Sequence, residues 1–153
     1  LPINILIVDD EHDFVEVLSL RLTDAGHRVR AAYSGKEALS VLAETEPETL
    51  PDIDVVILDI KMPGMDGIET LKQIKANYPV VEVILLTGHG AVDTAIKGLK
   101  SGAFDYFLKP ADFDELTLKL ETARKQRDAQ AGRIREAEAR ALMRRSGGMS
   151  THE

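Results

Sequence analysis

Three carboxylates in a row follow a short apolar segment near the N-terminus. Residues 3–8 read INILIV, and the acids Asp9, Asp10 and Glu11 come directly after them. Neighbouring negative charges repel one another, and they lose hydration if the end of a strand is enclosed. We therefore expect a positive group beside them. Two or three converging carboxylates are the usual way in which proteins hold a hard divalent cation such as Mg²⁺.

Three more polar residues each stand directly after an apolar segment: Asp59, Thr87 and Lys109. If these segments are parallel strands, their carboxyl ends lie at one edge of a sheet, where such sheets bind ligands. A carboxylate there could accept a phosphoryl group, while a hydroxyl and an ammonium bind its remaining oxygens. Asp59 is the candidate nucleophile of such a site.

The hydrophobic pattern predicts the sheet that this site requires. Apolar runs rich in β-branched residues at 3–8, 54–58 and 81–86 are typical of strands covered on both faces, and weaker runs at 27–33 and 103–108 suit the edges. Helical periodicity occurs between them, so that five strands and five helices alternate. This alternation predicts an α/β fold with a parallel, doubly wound sheet and helices on both faces.

The predicted helices carry signals at their ends. Gly26 and Gly102 follow the first and fourth helical patterns, where a left-handed residue commonly ends a helix. Three residues that can cap a helix start are followed by glutamate three positions later: Ser34–Glu37, Asp66–Glu69 and Asp112–Glu115. The apolar faces of the first and fourth helices are predicted to comprise Phe14, Val17, Leu18, Leu22 and Ala25, and Val92, Ala95, Ile96 and Leu99.

Composition restricts the class of protein. With 153 residues, 44% of them hydrophobic and 29% charged, the chain is long enough for one domain with a full core. No apolar run approaches the roughly 20 residues of a membrane span, and no secretory signal pattern is present. The absence of cysteine excludes disulfides and thiolate metal sites. These features predict a cytoplasmic protein without membrane contact.

The C-terminal region differs in charge from the rest of the chain. Residues 124–145 hold eight Lys/Arg against three Asp/Glu, whereas residues 1–123 hold eleven against twenty-two. The region is rich in Ala, Glu and Arg and lacks proline, so the last helix is predicted to run from about residue 113 to 145. A disordered tail is expected at 146–153.

This long helix leaves two interpretations open. A seven-residue apolar pattern, interrupted by Arg127 and Gln130, is formed by Leu116, Leu120, Ala123, Ile134, Ala137 and Ala141. The pattern suits either a solvated helix or one that forms a homodimer. Its basic residues alternate with acids and no aromatics accompany them, so we expect no direct contact with nucleic acid.

Four segments resemble, in order, the signature regions of bacterial response-regulator receiver domains. They read ILIVDDE (5–11), VVILDIKMPGMDGIE (55–69), VILLTGHG (83–90) and DYFLKP (105–110). Each fragment alone would be a weak signal, but their combination is specific. The resemblance extends over residues 3 to about 123, and together with the alternating elements it predicts a flavodoxin-like sheet with strand order 2-1-3-4-5.

The resemblance implies a chemical role for each strand-end residue. Asp59 would accept a phosphoryl group from a phosphohistidine of a histidine kinase. Asp10 and Asp59 would ligate Mg²⁺ directly, Asp9 would act largely through water, and the main-chain carbonyl of Lys61 would complete the set. Thr87 and Lys109 would each bind a phosphoryl oxygen. Such a protein is a switch and not an enzyme, although it assists its own phosphorylation and the hydrolysis of its acyl phosphate.

The resemblance also implies how the signal spreads. Thr87 would move toward the phosphoryl group, and Tyr106 would turn inward to fill the space, remodelling the surface between residues 91 and 120. The family has a cis peptide bond at the position of Lys109-Pro110. His89 could be mistaken for a catalytic base, but a rim histidine that tunes the hydrolysis rate, as Lys61 also would, is the preferred interpretation.

Residues 87–110 resemble in particular the nitrogen-regulation class, the activators that work with sigma-54. In that class a receiver and a linker helix precede an ATPase domain and a DNA-binding domain. We therefore divide the chain into a receiver at 1–123, a helical extension or linker at 124–145 and a tail at 146–153. It would be an excised receiver with its linker or a stand-alone regulator, acting on an output domain or partner, with a homodimer through the last helix or the 91–120 face as one option.

Two other function classes stay open at this point. A Mg²⁺-dependent phosphatase of the haloacid-dehalogenase type also uses a strand-end aspartate, a Thr/Ser and a lysine. It needs a second aspartate two residues after the nucleophile, and Lys61 occupies that place. The other alternative is an interaction module that works without phosphorylation, and the intact set of polar strand-end residues argues against it. Taken singly, the acids could also be helix caps or turn formers.

Overall fold

A computed structural model describes residues 2–44, 52–62, 66–88, 92–110 and 112–151, with side chains described as far as Ser146. Within these residues, five strands and five helices alternate. The strands are β1 (Asn4–Val8), β2 (Arg28–Ala32), β3 (Val55–Asp59), β4 (Glu82–Thr87) and β5 (Asp105–Leu108). The helices are α1 (His12–Asp24), α2 (Gly35–Glu44), α3 (Gly67–Asn77), α4 (Val92–Lys100) and α5 (Phe113–Thr151).

The five strands form one sheet in the order β2-β1-β3-β4-β5, and every pair is parallel. The predicted flavodoxin-like α/β fold is thus confirmed. All side chains of β3 and β4 are buried, because helices cover both faces of the central strands. Alternate side chains of the strands enter two separate apolar cores, one on each face of the sheet. The sheet therefore holds the carboxyl ends of its central strands at one fixed edge.

The predicted capping residues agree with the structure. Gly26 and Gly102 have φ angles of 97° and 109°, the left-handed region in which glycine is favoured. Each predicted cap accepts a backbone N–H from the glutamate three residues later, at 2.8–3.2 Å, and the pairs are Ser34–Glu37, Asp66–Glu69 and Asp112–Glu115. Helix boundaries could be predicted here because they depend on contacts within one turn.

The predicted apolar faces of α1 and α4 need correction. In α1 the buried residues are Val15, Leu18 and Leu22, whereas Val17 is 58% exposed. In α4 only the small residues Ala95 and Gly98 are buried. A Cβ atom on Gly98 would lie 2.2 Å from Leu85 Cδ1, so α4 packs on β4 through its smallest side chains.

The larger apolar residues of α4 consequently face outward. Val92, Ile96 and Leu99 are each 36–43% exposed. Helical periodicity locates the apolar stripe, but it does not show whether the sheet covers the large or the small members of that stripe. A partly uncovered apolar face remains on α4 as a result.

Helix α5 is longer than predicted. The helix predicted from about residue 113 to 145 is present and continues to Thr151, while the predicted disorder of 146–153 stays a prediction. No proline interrupts it, and its Ala-, Glu- and Arg-rich sequence favours helix throughout 121–145. None of the helices in the described part of the chain combines the length and apolar character that crossing a membrane requires.

The start of α3 packs very closely against the end of β3. The Gly67 N–H donates to the Ile60 carbonyl at 2.9 Å, and a Cβ atom on Gly67 would lie 2.5 Å from both the Asp59 carbonyl oxygen and Ile60 Cα. These contacts are with backbone, so they cannot be relieved by turning a side chain. Glycine at this position lets α3 approach the strand that carries Asp59.

We predict that Gly67→Ala lowers the free energy of unfolding by about 1–3 kcal/mol, because the added methyl group must displace backbone. Denaturant unfolding measures this loss. The matched control is Gly132→Ala in α5, where nothing lies within 4 Å of the new Cβ atom. The control should be neutral or up to about 1 kcal/mol more stable because alanine favours helix. Equal effects of the two substitutions would contradict the close packing.

Candidate functional site

Three carboxylates meet at the carboxyl edge of the sheet. Asp9 and Asp10 follow β1, and Asp59 ends β3, which pairs with β1 in parallel. One carboxylate oxygen from each residue lies within 4.8 Å of the others. Asp9 and Asp59 are 1% and 7% exposed, and Asp10 is half-buried. The structure brings together the three acids that the sequence pattern selected.

A lysine of the same chain supplies a positive charge beside these acids. The Lys109 Nζ atom lies 2.7 Å from Asp9 Oδ2 and 3.2 Å from Glu11 Oε1. It also lies 4.4 Å from the centroid of the Phe14 ring, a cation–π distance. The Lys109 N–H donates to the Thr87 carbonyl at 2.7 Å, which fixes this residue beside the end of β4. The predicted cis peptide bond at Lys109-Pro110 is present.

The charge of Asp59 is poorly compensated. Desolvation by burial and the nearby charge of Asp9 raise the pKa of Asp59 to about 6, although Lys109 and the Lys61 N–H oppose this rise. The Lys61 N–H donates to Asp59 Oδ1 at 3.3 Å. For Lys109, burial disfavours the charge, but the hydrogen bond and charge of Asp9, with help from Asp59 and Glu11, give a net raised pKa. Lys109 therefore stays charged, whereas a carboxyl group with the pKa of Asp59 is about half protonated near pH 6.

The other predicted residues occupy the same edge or its neighbourhood. Thr87 ends β4, is 1% exposed, and donates its hydroxyl hydrogen to the Gly88 carbonyl at 3.2 Å. Tyr106 is half-buried in β5, pairs with Leu85 in the sheet register and packs against the core cluster that includes Ala95. His89 lies outside the described residues.

Two residues of the site were given no role by the sequence pattern. Glu11 and Phe14 both contact the Lys109 ammonium group, from the start and first turn of α1. Glu11 was recognised only as part of the acidic run, and Phe14 only as a core residue. Their contact with Lys109 spans almost the whole receiver sequence, so no local signal could have revealed it.

The arrangement is suited to a hard cation. Asp9 already accepts two hydrogen bonds, from the Glu11 N–H at 3.0 Å to Oδ1 and from Lys109 to Oδ2. Asp10 and Asp59 have more free acceptor capacity, and a cation there would offset the desolvation and the nearby Asp9 charge that raise the pKa of Asp59. A set of clustered oxygen donors fits Mg²⁺ or a similar ion and does not fit a soft metal. The residues present could therefore hold a metal ion.

Comparisons with known proteins agree with this geometry. The sequence profile of the response regulator receiver domain matches residues 5–121. The chain is 44% identical over 121 residues to the transcriptional regulatory protein ZraR of Klebsiella oxytoca, covering 79% of this chain and 26% of that protein. It is 42% identical over 119 residues to the regulatory protein AtoC of Escherichia coli, covering 78% and 24%. The chain thus spans about a quarter of the length of these relatives.

A solved structure shows the same fold. A response regulator receiver domain protein from Clostridium thermocellum superimposes with a TM-score of 0.78 at 36% sequence identity. The superposition covers 84% of this chain and 98% of the other. Nearly all of that chain therefore shares the fold described for this one.

The raised pKa of Asp59 predicts a pH-dependent stability. In the unfolded chain an aspartate titrates near pH 3.9, so between about pH 4 and 6 the folded state binds the extra proton. In metal-free buffer the free energy of unfolding should consequently fall as the pH rises through this interval. Asp59→Asn should remove this slope and be more stable than the original chain at pH 7, by roughly 1–2 kcal/mol after solvent screening is allowed for.

Denaturant unfolding at a series of pH values measures this effect. The control is Asp24→Asn, which neutralises an exposed acid at the end of α1 and should keep the slope. Adding Mg²⁺ should stabilise the original chain more than Asp59→Asn, because the ion binds the charged carboxylate. A slope that survives in Asp59→Asn would contradict the electrostatic account.

Proposed function

This chain belongs to the response regulator receiver domain family, and from that premise we propose that it is a phosphorylation switch in which Asp59 is the phosphoryl acceptor. The observation that carries the proposal is the convergence of Asp9, Asp10 and Asp59 within 4.8 Å, with Lys109 bound to Asp9. A buried, under-compensated carboxylate at a strand end is a nucleophile that a cation and a phosphoryl group can both approach.

The proposed donor is a phosphohistidine on a histidine kinase. A carboxylate oxygen of Asp59 attacks phosphorus, the phosphorus–nitrogen bond breaks, and the imidazole nitrogen keeps the electron pair. The product is an acyl phosphate on Asp59. Its negative oxygens are bound by the Lys109 ammonium and the Thr87 hydroxyl, which are the positive and hydrogen-bond-donating groups at this edge.

Asp10, Asp59 and the Lys61 carbonyl would hold Mg²⁺ directly, and Asp9 would act mainly through water. The two hydrogen bonds that Asp9 already accepts support this division of roles. When bound, Mg²⁺ neutralises the clustered acids and the phosphoryl oxygens. The sheet fixes the carboxylates at the ends of β1 and β3 relative to one another. The nucleophile Asp59 therefore stays at a fixed distance from the other acids that would hold the cation.

Phosphorylation would require two side chains to change partners. Thr87 donates to Gly88, and Lys109 is held by Asp9 and Glu11, so both must turn toward the phosphoryl group. Tyr106 would then occupy the space that Thr87 leaves. The phosphoryl group shifts this equilibrium only by as much as it prefers the second state.

The surface that would change lies between residues 91 and 120. In its described part, Val92, Ile96 and Leu99 of α4 are partly exposed, and Leu108 of β5 is 37% exposed. These residues are suited to bind an output domain or a second copy of the chain. A cytoplasmic regulator resembling the sigma-54 activators, which signals through residues 124–145 to an output domain, is the whole-protein function that we propose.

The alternatives have less support. A phosphatase of the haloacid-dehalogenase type would need an acid two residues after Asp59, and Lys61 is exposed at that place. A module that ignores phosphorylation would have no reason to bury Asp59 beside Asp9. The geometry therefore favours a phosphoacceptor over both alternatives.

We predict that acetyl phosphate labels the chain to about one phosphoryl group per molecule, in a reaction that needs Mg²⁺. Asp59→Ala should abolish the label because the nucleophile is lost. The matched control is Asp13→Ala, which removes an exposed acid from the first turn of α1 and should be labelled like the original chain. Mass spectrometry of the intact protein and of its peptides measures the amount and the site.

Other outcomes of this experiment identify the alternatives. Continuous release of phosphate from many small esters would indicate a phosphatase. Neither Mg²⁺ binding nor labelling of the folded chain would indicate a passive interaction module. A label that persists in Asp59→Ala would exclude Asp59 as the acceptor.

A further inference from the structure

A second buried aspartate lies at the opposite end of β3. Asp54 immediately precedes the strand and is 5% exposed. Its backbone pairs with both neighbouring strands, since its N–H donates to the Asn4 carbonyl and its carbonyl accepts from Glu82. Its Oδ2 atom accepts the Asn4 N–H at 2.9 Å. This carboxylate is therefore fixed in the middle of the base of the sheet, the edge at which the strands begin.

Two arginines of α5 reach this carboxylate. Arg124 Nη1 lies 3.4 Å from Asp54 Oδ2, and Arg127 Nε lies 3.3 Å from Asp54 Oδ1. Arg124 also donates to the Pro2 carbonyl at 2.6 Å, and Asp128 accepts from both arginines at 3.0–3.2 Å. Two positive and two negative side chains thus form one cluster at the base.

The contact of the two arginines with Asp54 is well enclosed, whereas Asp128 is half exposed at its outer side. The side chains of Arg124 and Arg127 are 24% and 12% exposed. A buried carboxylate that loses one of its partners is left with uncompensated charge, so contacts of this kind are strongly destabilising to break. An exposed ion pair would hold the helix weakly, but this one is shielded from water.

The same face of α5 is buried both before and after the cluster. Leu116, Leu120, Ala123 and Ala131 are all fully buried within the chain, and Arg127 stands between the last two. Arg127 interrupts the seven-residue apolar pattern because it faces the base of the receiver. The side of α5 that would be the seam of a coiled coil is therefore occupied by the receiver as far as Ala131.

From these contacts we infer that Asp54 is a docking site for the helical extension, and that it fixes the direction in which α5 leaves the receiver. Over residues 124–131 the extension is held rigidly against the sheet, because two guanidinium groups of α5 contact one carboxylate at the start of β3. Any dimer that uses this helix must do so with residues beyond Ala131 or with its opposite face. This inference does not depend on phosphorylation.

The test measures the position of the extension in the full 153-residue chain. Because the chain has no cysteine, the double substitution Lys36→Cys and Arg135→Cys allows two spin labels to be attached. One label lies at an exposed position of α2 and the other at an exposed position of α5 beyond the cluster. Pulsed electron resonance should give a narrow distance distribution. Asp54→Asn and Arg127→Gln should each broaden it at least twofold, and the double variant should broaden it no further.

The matched control is Glu82→Gln. Glu82 is also a buried acid at the base of the sheet, 6% exposed, but its ion pair is with Lys75 of α3, 3.5 Å away. This variant loses a comparable buried charge pair whose cation lies on α3, so its distribution should stay narrow. Broadening equal to that of Asp54→Asn would show general loosening and would overturn the inference.

Amide hydrogen exchange is an independent test of whether α5 is docked. Amides 127–134 should exchange at least tenfold faster in Arg127→Gln, whereas those of β4 should be unchanged. Arg127→Gln leaves Asp54 unchanged, so this variant still tests the docking site if Asp54→Asn does not fold. Unchanged distances and unchanged exchange in a folded Arg127→Gln variant would contradict the docking site.

Discussion

The structure depends on how the repulsion between buried carboxylates is contained at one edge of the sheet. Asp9 and Asp59 are almost completely buried, and desolvation, together with the repulsion between the two carboxylates, raises the pKa of Asp59 to about 6. Lys109 offsets part of this cost through its contacts with Asp9 and Glu11. The remaining deficit of positive charge is what gives the site its capacity for a cation and, in the proposed reaction, for a phosphoryl group.

A parallel sheet can bring the residues of such a cluster together without any further element. The acids come from β1 and β3, the hydroxyl from β4 and the ammonium from the end of β5, so four separate segments must be aligned at once. Parallel strands bring all four carboxyl ends to the same edge, and helices on both faces exclude water from the strands that lead to it. The buried sheet thus determines the position of the site, and close approaches such as that of Gly67 to Asp59 hold it there.

The sequence was sufficient where the physical signal is local or periodic. Continuous β-branched runs identified the central strands, and caps such as Asp66 with Glu69 identified helix starts. It was insufficient where packing decides between similar side chains, as when α4 buries Ala95 and Gly98 and leaves Ile96 exposed. The sequence also gave no indication of ion pairs between residues that are far apart in the chain. Glu11 and Lys109, 98 positions apart, form an ion pair that no periodicity encodes.

The two ends of β3 show how environment decides the use of one residue type. Asp59 and Asp54 are both buried aspartates, yet Asp54 has two guanidinium groups within 3.4 Å, and Asp59 has other carboxylates as its neighbours. A carboxylate that lies beside two guanidinium groups and accepts a backbone N–H has its charge largely compensated, so it serves as a fixed point for a helix. An under-compensated one gains most from a new cation or a covalent bond to phosphorus. We infer that β3 has a reactive end at Asp59 and a structural end at Asp54. The position of the α5 extension is therefore fixed relative to the same strand that carries the proposed acceptor.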